Sequence, residues 1–463
     1  MVNFGGKTIL LLLISIHIGS ARSDEYDECP EIEGPTVWID NAPDCQANSS
    51  YCHHFGLDYV CSTNITDEGN SCLGGTQVKC AHSQAPPLAT PLPINTLKLI
   101  TYNVWELNYL VAQIGQRERT CRIPAKIFKM NPDVDVVVLE EVFMGGCIVN
   151  VNNSLTMRDI LGEFGFVHST RTVGDSLALL PGARVAEKRN STAENGGVFI
   201  ASRWPIVQEK QKVFDNYDPT TSDALSAKGV MYARVRKTVE DASKDFHIFG
   251  THMQSTEKTE SPGIRVLQAG EIFDFMQGMS IPISEPVIYT GDLNGDLINK
   301  EENARAIIDA LNANMPSLIG PIKVTYDHQN NDNLDPTDKD AEYLDYILTS
   351  NGHEQPVGAS TQVFRPRSDQ PVEVCRDFRL FKFFMYPHSP DCRETKTVSD
   401  LSDHFPVVGI FQYPTDKAEM TTQAPGVHTT SSGSSPVTGA VFAVVTSLTV
   451  LINSHIFKKL IFI

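Results

Sequence analysis

Apolar residues in the middle of this chain come in short runs that end abruptly in polar groups. LKLITYNVW, from Leu97 to Trp105, alternates as a strand does. VDVVVLEEVF, from Val134 to Phe143, is a continuous β-branched run, the pattern of a buried strand. GGVFIASRWPI, VMYARVRK, DFHIFGTHMQ, PVIYTGDLNG, EYLDYILTS and FPVVGIFQY read likewise. Helix-like segments lie between them: CRIPAKIFKM, TMRDILGEF, IRVLQAGEIFDFMQ and EENARAIIDALNAN. VMYARVRK and DFHIFGTHMQ follow each other across the polar stretch TVEDASK, which predicts an antiparallel hairpin. Strands in mixed order with helices among them predict an α/β core of more than two layers, not a simple doubly wound sheet. No internal repeat is visible.

The two ends read differently. Residues 1–23 have a short basic start, an apolar run from Ile9 to Ile18, then Gly19, Ser20 and Ala21. This is the pattern of a secretory signal cleaved near Ala21 or Ser23, and the run is short for a membrane anchor. After Tyr413 the chain turns to Thr, Ser, Pro and Gly, a composition that cannot bury enough apolar surface to fold, so 414–437 reads as a stalk. Residues 438–463 are apolar. Small residues around Ser431–Ser435 ahead of that tail suggest a glycolipid-anchor signal, whereas Lys458 and Lys459 suit the basic flank of a single-pass helix. Both readings put the body outside the cell, tied to a membrane.

Cysteine usage agrees with that compartment. The chain has 10 Cys, an even number, and disulfides are expected on the secretory route. Cys29, Cys45, Cys52, Cys61, Cys72 and Cys80 crowd into residues 24–83. They predict a small stapled module whose connectivity spacing alone does not give; irregular spacing argues against zinc. Cys121 and Cys147 are candidates to pair, as are Cys375 and Cys392. Sequons at Asn48, Asn64, Asn152 and Asn190 fit a secreted chain. The Pro-rich stretch 84–96 separates the module from a larger domain over 97–413, because Pro blocks regular structure.

Candidate chemistry sits where the strands stop. Asn103 ends the first strand, Glu141 the second, His252 the hairpin; Asp292 and Asn294 follow PVIYTG, and Asp403 and His404 precede the last strand. Singly, each has an ordinary reading as a turn former or cap. Together they are hard oxygen ligands plus two imidazoles, the inventory for Mg²⁺-assisted attack on phosphorus. Glu141 with Asn103 suffices as a nucleus for Mg²⁺, which keeps several waters; Mn²⁺ is accommodated by the same ligands.

TYNVW, LEEVF, GTHMQ, GDLN and SDHFPV occur in the order and spacing of the DNase I-like endonuclease/exonuclease/phosphatase superfamily, and the chain resembles it over roughly 300 residues. The resemblance implies a four-layer αββα sandwich with the site at one end of the two sheets. Within the superfamily, LEEVF, NGGVFIASRWPI and DALSAKGVMYARV are similar to the neutral sphingomyelinases, and Asp223 and Lys228 match that family's Asp–Lys pair. The resemblance further implies residue roles. Glu141 binds the metal, with Asn103 beside it. Asp292 and Asn294 orient water and phosphate, and Asp403 holds the polar network. His404 activates water. His252 stabilises the pentacovalent state or protonates the leaving alkoxide, and Lys228 adds positive charge. The substrate it implies is membrane sphingomyelin, split into ceramide and phosphocholine.

CRDFRLFKFFMYPHSPDC carries Phe381, Phe383 and Phe384 beside Arg379 and Lys382. Related bacterial sphingomyelinases have an aromatic hairpin at the matching place, which implies contact with a bilayer surface. The competing reading is a buried strand pair of the core. Other substrates remain open at this stage: nucleic acid, other choline lipids, inositol phosphates, or none in a non-enzymatic surface module. A balance of 38 Lys+Arg against 56 Asp+Glu gives no basic footprint for nucleic acid. Nothing in the sequence reports oligomeric state.

Overall fold

The computed structural model describes residues 29–415 except 33–35, 41–44, 46, 65–71, 83–88, 109–113, 144–145, 148–154, 176–193, 256–258 and 379–391. The expected leader, the expected stalk beyond Thr415, the apolar tail, the sequons at Asn152 and Asn190, and Phe381, Phe383 and Phe384 lie outside the described residues. Among the described residues no helix is long and apolar enough to cross a membrane.

Two sheets stack face to face. One has seven strands in the order Ser317–Ile319, Gly358–Val363, Val407–Gln412, Thr96–Glu106, Val136–Val142, Phe199–Ser202, His168–Ser169. The other has six: Ala313–Asn314, Asp345–Ser350, Val287–Asp292, Ala242–His252, Gly229–Val239, Ile206–Val213. The strands are apolar on both faces because both faces are covered. In Thr96–Glu106, Leu97 and Leu99 point into the core between the sheets, while Ile100, Tyr102 and Val104 point outward into a second core. Val136 and Val138 against Val137 and Leu139 repeat the division, as the two-residue period of a strand requires. Helices Ile123–Met130 and Met157–Glu163 close the second core, and Ser261–Gln277 and Glu301–Ala310 pack behind the six-stranded sheet. This is the four-layer αββα arrangement. Thr156 and Asp159 form a reciprocal capping box at the start of Met157–Glu163, which satisfies two end amides.

Two details differ from the sequence expectation. The hairpin Gly229–Val239/Ala242–His252 is antiparallel as expected, but its strands run through most of TVEDASK, leaving only Glu240 and Asp241 as the turn. GGVFIASRWPI is not one strand: Phe199–Ser202 belongs to one sheet and Ile206–Val213 to the other. Pro205 cannot donate to a ladder, and the break before it is where the chain changes sheets.

The N-terminal region is a three-stranded antiparallel sheet and one short helix, Ser49–His54. It is stapled by Cys29–Cys61, Cys45–Cys72 and Cys52–Cys80, which use all six cysteines and exclude zinc ligation by them. Asn48 caps the helix: its Oδ1 accepts from Ser50 N at 2.9 Å. Asn64 is exposed. Val37, Ile39, Cys52, Phe55 and Val78 share the second core with Ile100, Ile123 and Phe128, so this region rests on the outer face of the seven-stranded sheet. Cys121–Cys147 and Cys375–Cys392 are also disulfides. The second closes a long two-stranded hairpin, Arg367–Phe378 and Cys392–Asp400. That hairpin forms its own sheet, separate from both large ones, so its described legs are not a strand pair of the sandwich core.

Candidate active site

The register of the six-stranded sheet lines up three functional groups. His252 is the Cα partner of Asp292 in a parallel pair, and Asp292 is the partner of Asp345 in an antiparallel pair. Across the interface, Asn103 is the partner of Glu140, one residue before Glu141. The strand ends of the two sheets converge, and Asn103 bridges them: its Nδ2 donates to Glu141 Oε1 and Asp292 Oδ2, both at 3.1 Å. Trp105, Glu141 and Asn294 hold φ of 52°, 60° and 53°. Positive φ costs a non-glycine residue on the order of 1–3 kcal/mol, and such strain concentrates where function over-determines the backbone. Asn294 N bonds Asp292 Oδ1 at 2.9 Å, and its Nδ2 donates to Met253 O, fixing both members of the GDLN turn.

The two histidines sit in opposite surroundings. His404 Nδ1 lies 2.8 Å from Asp345 Oδ2, and its Nε2 faces Asp292 at 3.9 Å. Burial opposes charge on this ring, but Asp345 and Asp403 outweigh it and hold the ring well above the ordinary histidine range. His252 Nε2 lies 3.0 Å from Lys228 Nζ. Burial and the Lys228 charge push His252 down to about 3, so at neutral pH it is neutral. An Nε2 lone pair facing an ammonium is an acceptor, so its proton sits on Nδ1, which is buried with no partner.

Lys228 itself donates to His252, to Met253 O at 2.9 Å and to Asp223 Oδ2 at 3.1 Å. Three donors and three acceptors match an ammonium fully. Asp223 also takes Ser255 N, Ser255 Oγ and Gln254 Nε2. Burial would raise its acid, yet Lys228 and Ser255 hold it below the usual carboxylate range. Asp403 accepts from Ser402 Oγ at 3.1 Å; burial raises its acid against the pull of His404 and Arg119. The structure thus brings Asn103, Glu141, Lys228, Asp223, His252, Asp292, Asn294, Asp403 and His404 into one connected network.

Three participants escaped the sequence reading. Asp345 orients His404; its only sequence signal was a lone carboxylate at the head of a strand in EYLDYILTS. Glu140 is fully buried, bonded at Oε1 to Thr101 Oγ1 at 2.7 Å, and burial raises its acid well above the ordinary range. Arg119 is buried, and its guanidinium donates to Val104 O, Trp105 O and Leu401 O. It ties the strand that carries Asn103 to the loop that carries Asp403 and His404, although the two are distant in sequence.

A hard divalent cation fits this donor set. Glu141 Oε2 is buried without a partner. Burial and Asp403 push the Glu141 acid up to about 7, the mark of a carboxylate cluster short of positive charge. Asp292, Asp345 and His404 also present donor atoms within 4.8 Å of one another. His404 Nδ1 is already engaged by Asp345 and Asn103 Oδ1 by Trp105 N at 3.0 Å, so Glu141, with its unpaired Oε2, is the better holder, with Asn103 beside it.

Residues 100–404 match the model of the Endonuclease/Exonuclease/phosphatase family, and the chain belongs to that family. Within it, proteins similar to this chain include several named Sphingomyelinase C. The chain is 33% identical to a Sphingomyelinase C of Bacillus cereus over 326 residues, 68% of this chain and 88% of that protein. The crystal structure of Sphingomyelinase C from Streptomyces griseocarneus superposes with a TM-score of 0.54 at 27% identity, covering 68% of this chain and 99% of the other. A variant of Staphylococcus aureus beta toxin, with bound magnesium ions, gives a TM-score of 0.54 at 27% identity over 68% of this chain and 98% of that one.

Proposed function

We propose that this chain is a Mg²⁺-dependent sphingomyelin phosphodiesterase that releases phosphocholine and leaves ceramide. The observation that carries the reading is the bridge from Asn103 to Glu141 and Asp292, with the Asp345–His404 pair beside it. It puts a cation-ready carboxylate and an oriented imidazole at one strand-end cleft, in a chain whose similar relatives are named for sphingomyelin. Glu141 and Asn103 would hold the ion. When bound, Mg²⁺ supplies positive charge against the phosphoryl oxygens and the surrounding carboxylates.

The remaining work falls to the protein's own groups. Asp345 fixes the His404 ring so that Nε2 faces the cleft; a bound cation would offset the carboxylates that hold the proton on this ring, and the ring, once neutral, takes a proton from the attacking water. Asp292 and Asn294 orient that water and the phosphate. Lys228, held by Asp223 and sharing a hydrogen bond with His252, puts a cation where negative charge develops. His252, neutral and accepting from Lys228, keeps that ammonium aimed at the pentacovalent phosphate, and the leaving alkoxide takes its proton from solvent water. We further read the protein as extracellular and membrane-tethered. Five disulfides support that reading, together with the leader and tail patterns; aromatic residues near Phe383 are the proposed contact with the bilayer surface.

The test is direct. The full chain with Mg²⁺ is expected to release phosphocholine from sphingomyelin vesicles and to stop when a chelator is added. Release of choline phosphate from phosphatidylcholine instead would move the substrate to other choline lipids. Nicking of supercoiled DNA without phosphocholine release would replace the lipid reading by a nuclease.

A further inference from the structure

A cavity of about 350 Å³ opens away from the catalytic network, where three parts of the fold meet. The N-terminal region supplies His53, Gly56 and His82. The segment at helix Ile123–Met130 supplies Arg122, Lys126 and Lys129. The hairpin leg Arg367–Phe378 supplies Asp369. None of these residues belongs to the catalytic network.

The cavity's charge is unusual for this chain. The protein carries a formal net charge of −18, yet this wall gathers three permanent cations against one carboxylate, Asp369. That carboxylate is 73% exposed and is shared: it pairs with Lys126 and lies 4.0 Å from Lys129. Arg122 donates to three backbone carbonyls, those of Glu118, His53 and His54. Burial lowers its pKa to about 10 against the pull of Glu118, the response of a guanidinium taken from water without a directly paired carboxylate. Its position is built. Gly56 has φ +71°, and a Cβ there would lie 2.9 Å from Arg122 Cγ and 3.0 Å from its Nε. Only glycine lets the backbone of the N-terminal region lie this close to the guanidinium.

We propose that this cavity binds a phosphate group, either free in solution or on the headgroup of a lipid phosphomonoester. Arg122, with three of its five N–H groups given to carbonyls, brings its charge and the remaining Nη1 donor, and the two lysines add point charges, a combination suited to a compact dianion. His53 and His82 line the same cavity. The volume leaves room for an organic portion beyond the phosphate. Such a ligand would cross-link the N-terminal region, the helix and the hairpin, displacing Asp369 from the lysines. The proposal stands independently of the catalytic reading, since it uses none of that site's residues.

The test uses the full chain with chelator present, so that metal-borne phosphate at the catalytic cleft does not contribute. Isothermal titration with inorganic phosphate is expected to show one saturable site. Lys126→Gln with Lys129→Gln should weaken it roughly tenfold through loss of two charged donors. Asp369→Asn should tighten it several-fold, because the competing carboxylate is gone. In a separate assay with Mg²⁺ restored, hydrolysis of a soluble substrate by both variants should be unchanged, which controls for folding. Cosedimentation with phosphatidylcholine vesicles, with and without phosphatidic acid, separates the sources. Binding that needs phosphatidic acid and is competed by phosphate assigns a lipid headgroup; no vesicle binding assigns the free ion. Absence of saturable phosphate binding, or equal affinity in wild type, the double-lysine variant and Asp369→Asn, overturns the proposal.

Discussion

His404 and His252 stand on either side of Asp292, both buried, and their protonation is opposite. His404 faces Asp345 and keeps its proton more tightly than a free histidine; His252 faces Lys228 and gives its proton up. Burial alone would have neutralised both, since it penalises the charged ring in each case. The partner's sign decides. One fold thereby holds two imidazoles ready for different tasks, a pattern expected where acid and base roles must be separated.

The comparison breaks most visibly at His404. His404→Ala is expected to lower kcat/KM for phosphocholine release by about 10⁴-fold while circular dichroism stays native. Activity within tenfold of wild type would remove the assigned base. Glu141→Ala should cost about 10³-fold and shift the Mg²⁺ titration to higher concentration. An unchanged titration would take Glu141 out of the cation site.

A finer probe is Asp345→Asn. It removes the charge that raises His404, so the pH–rate limb reporting that ring should move toward acid, with a loss of about 10²-fold at neutral pH. A limb that stays in place would show that Asp345 does not set the ring's proton affinity. The smallest expected effect is on stability. The folded-state value of His252 lies below its unfolded value, so the unfolded chain binds the proton first as pH falls. Stability should therefore drop between about pH 7 and pH 5, by roughly 2 kcal/mol. His404 has the opposite sign: its contribution is present at low pH and is lost as pH rises through its raised value. Urea unfolding of wild type and His252→Gln separates the two. The glutamine variant should have the shallower slope between those pH values, and identical slopes would mean that His252 is not held neutral.

Much of this was legible in the chain itself. Strands announced themselves because continuous apolar runs need cover on both faces. The catalytic inventory was visible because loops at strand ends carry short motifs, as in GDLN and SDHFPV. Asp345, Glu140 and Arg119 were not. An acid at a strand start or a basic residue in a short helix has many ordinary explanations, and only the fold shows what it faces. Arg119 holds backbone carbonyls from Val104, Trp105 and Leu401, contacts that leave no pattern in sequence because any residue type supplies a carbonyl.

The sequence by itself determined the elements, the family and the kinds of ligand atom available, because those depend on local periodicity and on residue chemistry. Tertiary structure decided the protonation of each histidine, the pairing of the six N-terminal cysteines and the meeting of Arg122, Lys126 and Lys129 in one cavity. Each of these depends on which groups approach within a few ångströms across long stretches of chain, where electrostatic and covalent partners are chosen by packing and not by order along the backbone.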